Sequence, residues 1–421
     1  MQEKILKILW FANTPGLSTN LGKKQSSAGG WISSLQAEIE NTGQCELGFA
    51  FYSDQELSPF EYNHTTYYPI QRLARNKRYR LIQRILGKTE YNENLSRFLQ
   101  IIESFKPDII HVHGTENSFG LILGQVSKIP VVISIQGNLT AYTSKYFSGL
   151  TMPHLPERIL SGNLFLKMDY RQFVKRSAIE REILKKTKYI LGRTNWDRRI
   201  CLTLAPLANY FHQEEILRPS FYETDWKESQ NQNLIFHTTS SNSVYKGFET
   251  IIDTAILLKN NRMDFKWTVA GLNEGDPLVR LIKKNRKISH LSDIHVQAMG
   301  LMPEKTLAEH MAGASLYIQV SHAENSPNSV CEAMLLGMPV IATAAGGTSS
   351  LITDNDTGIL VQDGDAHALA GAIIELINDP SKSIAMAGRA KKIARQRHQR
   401  QNVTSQLFNN YRSILKLHES A

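Results

Sequence analysis

The chain of 421 residues holds only three cysteines, Cys45, Cys201 and Cys331, far apart and with no CxxC pair. That composition argues against a disulfide framework and a thiolate zinc site, and it predicts a reducing compartment. No apolar run reaches the roughly 18 residues that a membrane-spanning helix needs, so any membrane contact is expected to be peripheral. Met1 is followed at once by charged residues and a strand-like run, without an apolar leader or a small-residue cleavage site. This predicts a cytoplasmic location, at the inner face of the cell membrane if the basic segment described below docks there. No GxGxxG turn follows the first apolar run, which argues against a dinucleotide-dependent oxidoreductase. No DxD-like acidic motif is present, so no metal ligand is assigned. Internal repeats and low-complexity tracts are absent as well.

Hydrophobic residues make up 42% of the chain, which suits two cored domains better than one. A net charge of +9 suits an acidic partner, whether nucleotide, nucleic acid or anionic membrane. Short apolar runs at Ile5 to Phe11, Ile109–His113, Val131–Ile135 and Tyr189–Gly192 read as buried strands of one parallel sheet. A second series, Leu234–His237, Trp267–Ala270, Leu316–Val320 and Val340–Thr343, alternates with helical patterns and predicts a second doubly wound α/β domain. The expected layout is a first domain over 1–222, a polar linker over 223–232, a second domain over 233–400, and a terminal helix over 401–421 that returns to the first domain. Ligands are expected at the carboxyl ends of the strands.

The most informative stretch runs from Ser321 to Pro339, just past a strand. Ser326 is the expected N-cap, Pro327 suits the first turn, and Gly337 with Pro339 marks the stop, so a short helix is delimited. Its first amides, on Asn328, Ser329 and Val330, together with the helix dipole, can receive a diphosphate. Glu332 then lies about 8 Å from the helix mouth at roughly 1.5 Å per residue, within reach of a ribose whose vicinal hydroxyls a carboxylate can accept. Glu324, in the preceding loop, can face a sugar. Taken alone, the two glutamates also fit a plainer reading as a loop-solvating group and an exposed helical residue.

These residues resemble the donor-site signature of glycosyltransferase family 4, retaining enzymes with the two-domain GT-B fold. Glu324 and Glu332 match its E-x7-E pair, and Glu332-Ala333-Met334 with Gly337-Met338-Pro339-Val340 matches the continuation. Ala345-Gly346-Gly347 and Asp356 to Val361 extend the likeness over nearly the whole second domain. The resemblance implies that Glu324 contacts hydroxyls of the transferred sugar, that Glu332 contacts the ribose, and that the amides around Asn328–Val330 meet the diphosphate and sugar. Lys246-Gly247 matches the family's KG pair, where the lysine reaches the diphosphate. The arginine that usually precedes this lysine is replaced by Ser240 or Ser241, which donate hydrogen bonds without charge, and Arg193 or Arg198 is a candidate substitute. Gly29-Gly30 resembles the glycine pair whose amides approach the β-phosphate. Asp108 to Gly114 resembles the DxxHxH strand end, so His113 would line the acceptor side, with a packed structural histidine as the alternative. Many relatives carry histidine where Gln136 stands; glutamine can hydrogen-bond the donor sugar but cannot act as a base. Arg193 to Asp197 resembles a segment of bacterial surface-polysaccharide members.

The segment from Ile70 to Lys88 contains Arg72, Arg75, Lys77, Arg78, Arg80, Arg84 and Lys88 with no acidic residue, interleaved with apolar side chains. It suits anionic lipid, a solvated face or an acidic acceptor. Nucleic acid is not expected, since no recognised module accompanies the charge. The chain therefore reads as a retaining hexosyltransferase of polysaccharide biosynthesis. The expected donor is a UDP-sugar or GDP-sugar, the acceptor a saccharide or lipid-linked saccharide, and no metal or other cofactor is required. The different-class alternative is a sugar-nucleotide-binding module without turnover.

Overall fold

Runs of aliphatic and aromatic residues form two separate sheets in the computed structural model of the chain, which describes residues 5–21, 30–72, 91–150, 164–227 and 234–420. Gly29, the basic residues from Arg75 to Lys88, and 228–232 of the expected linker lie outside the described residues. The chain divides into two units. One takes Met1–Thr143, Leu155–Ile216 and Gln399–Ala421, the other Ser144–His154 and Leu217–His398.

In the first unit, eight strands follow the order β3-β4-β2-β1-β5-β6-β7-β8. They are β1 Leu6–Ala12, β2 Cys45–Ser53, β3 Phe60–Tyr62, β4 Thr65–Gln71, β5 Ile109–His113, β6 Val131–Ser134, β7 Tyr189–Gly192 and β8 Asn209–His212. All neighbouring pairs are parallel except β3 with β4. Side chains alternate across the sheet, so β1 sends Ile8, Trp10 and Ala12 into one core and Leu9 and Phe11 into the other. Helix α1 (Gly30–Thr42) and the terminal helix Arg400–Glu419 cover the first face. Helices α2 (Tyr91–Phe105) and α3 (Leu164–Lys186) cover the second. The terminal helix is tied in by polar contacts as well as by packing. Tyr411 accepts from Trp10 Nε1 through its hydroxyl at 3.1 Å, and the same hydroxyl lies 2.6 Å from His111 Nδ1.

The second unit holds an all-parallel sheet of β9 Leu234–Thr239, β10 Phe265–Ala270, β11 Val296–Gly300, β12 Leu316–Gln319, β13 Val340–Thr343 and β14 Ile359–Val361. Their order is β11-β10-β9-β12-β13-β14. Trp267 is fully buried, with its indole nitrogen donating to Thr238 Oγ1 at 3.0 Å, so its bulk fills the core without leaving a polar atom unpaired. Both units are Rossmann-like, as the alternating pattern predicts. Chain progression across the second sheet reverses between β9 and β12. That reversal is a topological switch point, where the loops leaving the carboxyl ends of these two strands lie side by side.

Candidate functional site

Lys246 and Glu324 come from the two loops at this switch point. The first loop leaves β9 and enters helix α4 (Phe248–Asn260) through Lys246 and Gly247. The second leaves β12, passes Ser321 to Glu324, and enters helix α5 (Asn328–Leu336). Gly247 has φ +74°, and a Cβ there would run into the carbonyl oxygen of Val320, so only glycine lets the loops close on each other. The His322 amide donates to the Tyr245 carbonyl at 2.8 Å and adds a second tie. Lys246 Nζ reaches Glu324 Oε1 at 2.5 Å, and Ser321 Oγ donates to the same oxygen at 2.8 Å. Burial alone would lower the Lys246 pKa, but the Glu324 carboxylate outweighs it and holds the ammonium above its ordinary value.

His322 braces the second loop from beneath. Its ring is buried between Glu249, at 2.5 Å from Nε2, and Asp363, at 3.2 Å from Nδ1. Burial disfavours the charged ring, yet the two carboxylates overcome this and raise its pKa.

Helix α5 starts one residue later than its sequence suggests. Ser326 is not the N-cap; Pro327 occupies that position with ψ 109°, and it has no side-chain oxygen to offer. Pro327 has the extended ψ of an N-cap, and its carbonyl accepts the first intrahelical bonds, from the Val330 and Cys331 amides at 3.0 and 3.2 Å. The Val330 amide is thus used within the helix, whereas those of Asn328 and Ser329 precede the regular ladder. Ser240 Oγ is buried with no hydrogen-bond partner among the described residues, and Ser241 is exposed.

Glu332 is the fifth residue of α5 and is buried. Arg218 Nε and Nη2 each donate to one of its carboxylate oxygens at 2.7 Å, a bidentate pair. Burial pushes the Glu332 carboxyl above the usual carboxylate range, and the guanidinium pulls it back down. Sequence reasoning missed Arg218. It stands 114 residues before its partner, beside Leu217 and Pro219, with no motif around it.

In the first unit, Gly30 opens α1. His113 ends β5, its ring 4.5 Å from Trp10, 3.8 Å from His111 and 5.7 Å from Trp31 between centroids. Neither ring nitrogen has a partner among the described residues. Burial, aided by the Arg193 charge, lowers its pKa to about 3, so the ring is neutral at ordinary pH and a weak proton acceptor. Gln136 follows β6 and accepts through Oε1 from Arg193 Nη2 at 2.9 Å, while Arg193 also pairs with Glu215. Arg193 is therefore committed within the first unit, and Arg198 is exposed. Glu116, just past β5, is a carboxyl that sequence reasoning did not single out. Burial raises it to about 7, with the Gly137 amide donating to Oε1 at 3.2 Å. Among the described residues no group of three or more His, Cys, Asp or Glu could hold a metal ion, and no helix is long and apolar enough to cross a membrane.

Residues 222–417 match the family model described as glycosyl transferases group 1. This stretch is similar to group 1 glycosyltransferases and makes up a little under half of the chain. It contains Lys246, Glu324 and Glu332, while Arg218 falls just before it. The amylovoran biosynthesis glycosyltransferase AmsK of Erwinia amylovora is 25% identical over 183 residues, 42% of this chain and 44% of AmsK, so the match spans less than half of that relative. Among solved structures, sucrose-phosphate synthase from Thermosynechococcus elongatus aligns with TM-score 0.75 at 14% identity, covering 98% of this chain and 100% of that one. HepE of Anabaena in complex with UDP-glucose aligns with TM-score 0.65 at 16% identity, over 97% and 100% of the two chains. Structural likeness at this level of identity bears on the fold alone, which is GT-B: the matched stretch takes in most of the second Rossmann-like unit and the terminal helix, which belongs to the first.

Proposed function

We propose that the chain is a retaining glycosyltransferase that moves a hexose-type sugar from a UDP-sugar or GDP-sugar to a saccharide or lipid-linked saccharide in polysaccharide biosynthesis. The observation that carries this reading is the Lys246–Glu324 pair at the switch point of the second unit, beside the mouth of α5. The Asn328 and Ser329 amides and the Lys246 ammonium would receive the diphosphate. Glu324, fixed by Lys246 and Ser321, would take hydroxyls of the sugar, and Glu332 the ribose. The bond between the anomeric carbon and the phosphate oxygen breaks as an oxocarbenium-like centre develops. The acceptor hydroxyl attacks from the same face, and its proton passes to the leaving phosphate oxygen. No protein carboxylate is then needed as base, and no metal is called for. The low basicity of His113 fits this route, since it assigns that ring no proton transfer.

In this reading the first unit takes the acceptor, and the basic segment 70–88 is the candidate contact with anionic lipid. The test is incubation with UDP- and GDP-sugars and saccharide acceptors, following nucleotide release and the anomeric configuration of the product. Product with retained configuration, lost in Glu324→Ala, is the expected result. An inverted product would refute retention, and full activity of Glu324→Ala would refute the site. The uncharged Ser240 and Ser241 favour one rival, a sugar-nucleotide-binding module without turnover. Its signature would be donor-induced thermal stabilisation with no nucleotide release under any acceptor.

A further inference from the structure

Eight large apolar side chains are exposed among the described residues, and four of them lie toward the amino-terminal ends of the strands of the first sheet. Ile5 precedes β1, Leu202 and Leu207 precede β8, and Leu417 adjoins His418, whose ring is 6.1 Å from that of Tyr189 at the start of β7. Leu202 and Leu207, on and just past the helix Asn195–Leu204, are 66% and 85% exposed. They stand among lysines. Strands β7 and β8 pair with Tyr189 opposite Asn209, so Lys188 and Ala208 lie side by side, and the Asn209 amide donates to the Lys188 carbonyl at 2.8 Å. Lys185 and Lys186 end α3 just before, and a Cβ on Gly124 would lie 3.5 Å from Lys186 Nζ, which places the loop holding Lys128 at the same end. All four lysines are exposed, and none has an acidic partner among the described residues. The segments 124–130, 183–188 and 198–208 carry no Asp or Glu, while Glu182 and Glu419 flank the lysines and Leu417.

We propose that this end of the first unit docks on an anionic lipid surface, with Leu202 and Leu207 entering the headgroup region and Lys128, Lys185, Lys186 and Lys188 meeting lipid phosphates. A bilayer interface receives apolar side chains, and lysine stems lie along it while their ammonium groups stay at the phosphates. The two residue types act together. Two leucines bury too little area to hold a protein alone, and lysines alone are screened by salt, but several basic residues beside an anionic surface add their attractions. The carboxyl ends of the same strands, where His113 and Gln136 stand, lie at the opposite end of the sheet, so a unit held by its amino ends keeps those loops open to ligands. This surface shares no residue with the basic segment 70–88, and its assignment does not depend on the sugar-transfer reading.

The experiment is cosedimentation of the full chain with vesicles of phosphatidylcholine, alone or mixed with phosphatidylglycerol, at low and high salt. It compares the parent with Leu202→Ser/Leu207→Ser, with Lys185→Gln/Lys186→Gln/Lys188→Gln, and with Arg75→Gln/Lys77→Gln/Arg78→Gln/Arg80→Gln in the other basic segment. The parent should bind only the anionic vesicles and lose affinity as salt rises. Removing three lysines should weaken binding about a hundredfold, at about 1 kcal/mol each, and removing both leucines about tenfold. The replaced leucines and lysines are exposed, so both variants should keep the parent's thermal midpoint. A parent that ignores anionic vesicles would overturn the proposal, as would leucine and lysine variants that bind like the parent while the variant in 70–88 loses binding. A leucine variant of unchanged affinity would refute insertion. If the parent were a dimer that the leucine variant alone dissociates, with vesicle binding unchanged, the face would belong to a second copy of the chain and the lipid assignment would fall.

Discussion

Replacing Lys246 with Met and Glu324 with Gln, singly and together, tests whether the two switch-point loops are coupled as the geometry requires. The atoms lie 2.5 Å apart, with 24% and 11% of the side-chain surfaces exposed. Removing one partner of a fully buried pair costs about 3–5 kcal/mol, and exposed pairs are worth about 0–1 kcal/mol. This pair is intermediate, so a coupling of about 2 kcal/mol is expected in the double-mutant cycle. Lys246→Met alone leaves Glu324 with the Ser321 hydroxyl as its side-chain partner among the described residues, and a loss of about 2 kcal/mol should lower the thermal midpoint by about 4–8 °C at about 2–4 °C per kcal/mol. The double variant should recover much of that loss. The cycle is best measured between pH 6 and 9. The Lys246 pKa is raised above 10.5, so its contribution is complete below the unfolded value and is lost only as pH rises through the folded one. In a transfer or donor-hydrolysis assay, Lys246→Met should also lower kcat by about 10²–10³-fold, the range for removing one donor at a developing negative charge. Additive thermal shifts, with coupling below about 0.5 kcal/mol, would refute the coupling of the loops.

Three further outcomes are expected. The His322 pKa is raised above 6.5, so its contribution to stability is complete below that value and fades as pH rises through the folded pKa. His322→Gln should flatten the pH dependence of the thermal midpoint above pH 6.5, and an unaltered profile would assign it to other groups. Gly247→Ala forces φ +74° on a residue with a Cβ and drives that Cβ into the Val320 carbonyl. A loss of about 2 kcal/mol or more in denaturant unfolding is expected. Tyr411→Phe strips the partner from Trp10 Nε1 and His111 Nδ1 and should cost about 2 kcal/mol, read as earlier unfolding of the first unit by tryptophan fluorescence. Unchanged unfolding would show that water replaces the hydroxyl.

The strands and the Ser321 to Pro339 segment were legible because their signals are local. Apolar runs such as Ile109–His113 and Leu316 to Val320 can bury both faces only inside a parallel sheet. Pro327 and Gly337, as the local limits of a helix, likewise place Glu324 in a loop and Glu332 in the helix. Even here the boundary moved: a serine before a proline reads as a cap, but Pro327 itself holds the N-cap position and its carbonyl takes the Val330 and Cys331 amides, which only the backbone angles reveal.

What the sequence by itself determined is the α/β class, the two-sheet organisation and the Ser321 to Pro339 loop and helix, all of them patterns within about twenty residues. Tertiary structure alone decided the strand order, and with it that the loops after β9 and β12 meet so that Lys246 finds Glu324. It also decided that Ser144–His154 joins the second unit, and that Arg218 closes on Glu332. Such pairings arise between residues 78 and 114 positions apart. Hydropathy period and capping preference act over a few turns of chain and carry no term for them. Only the free energy of burying both sheets brings such partners together.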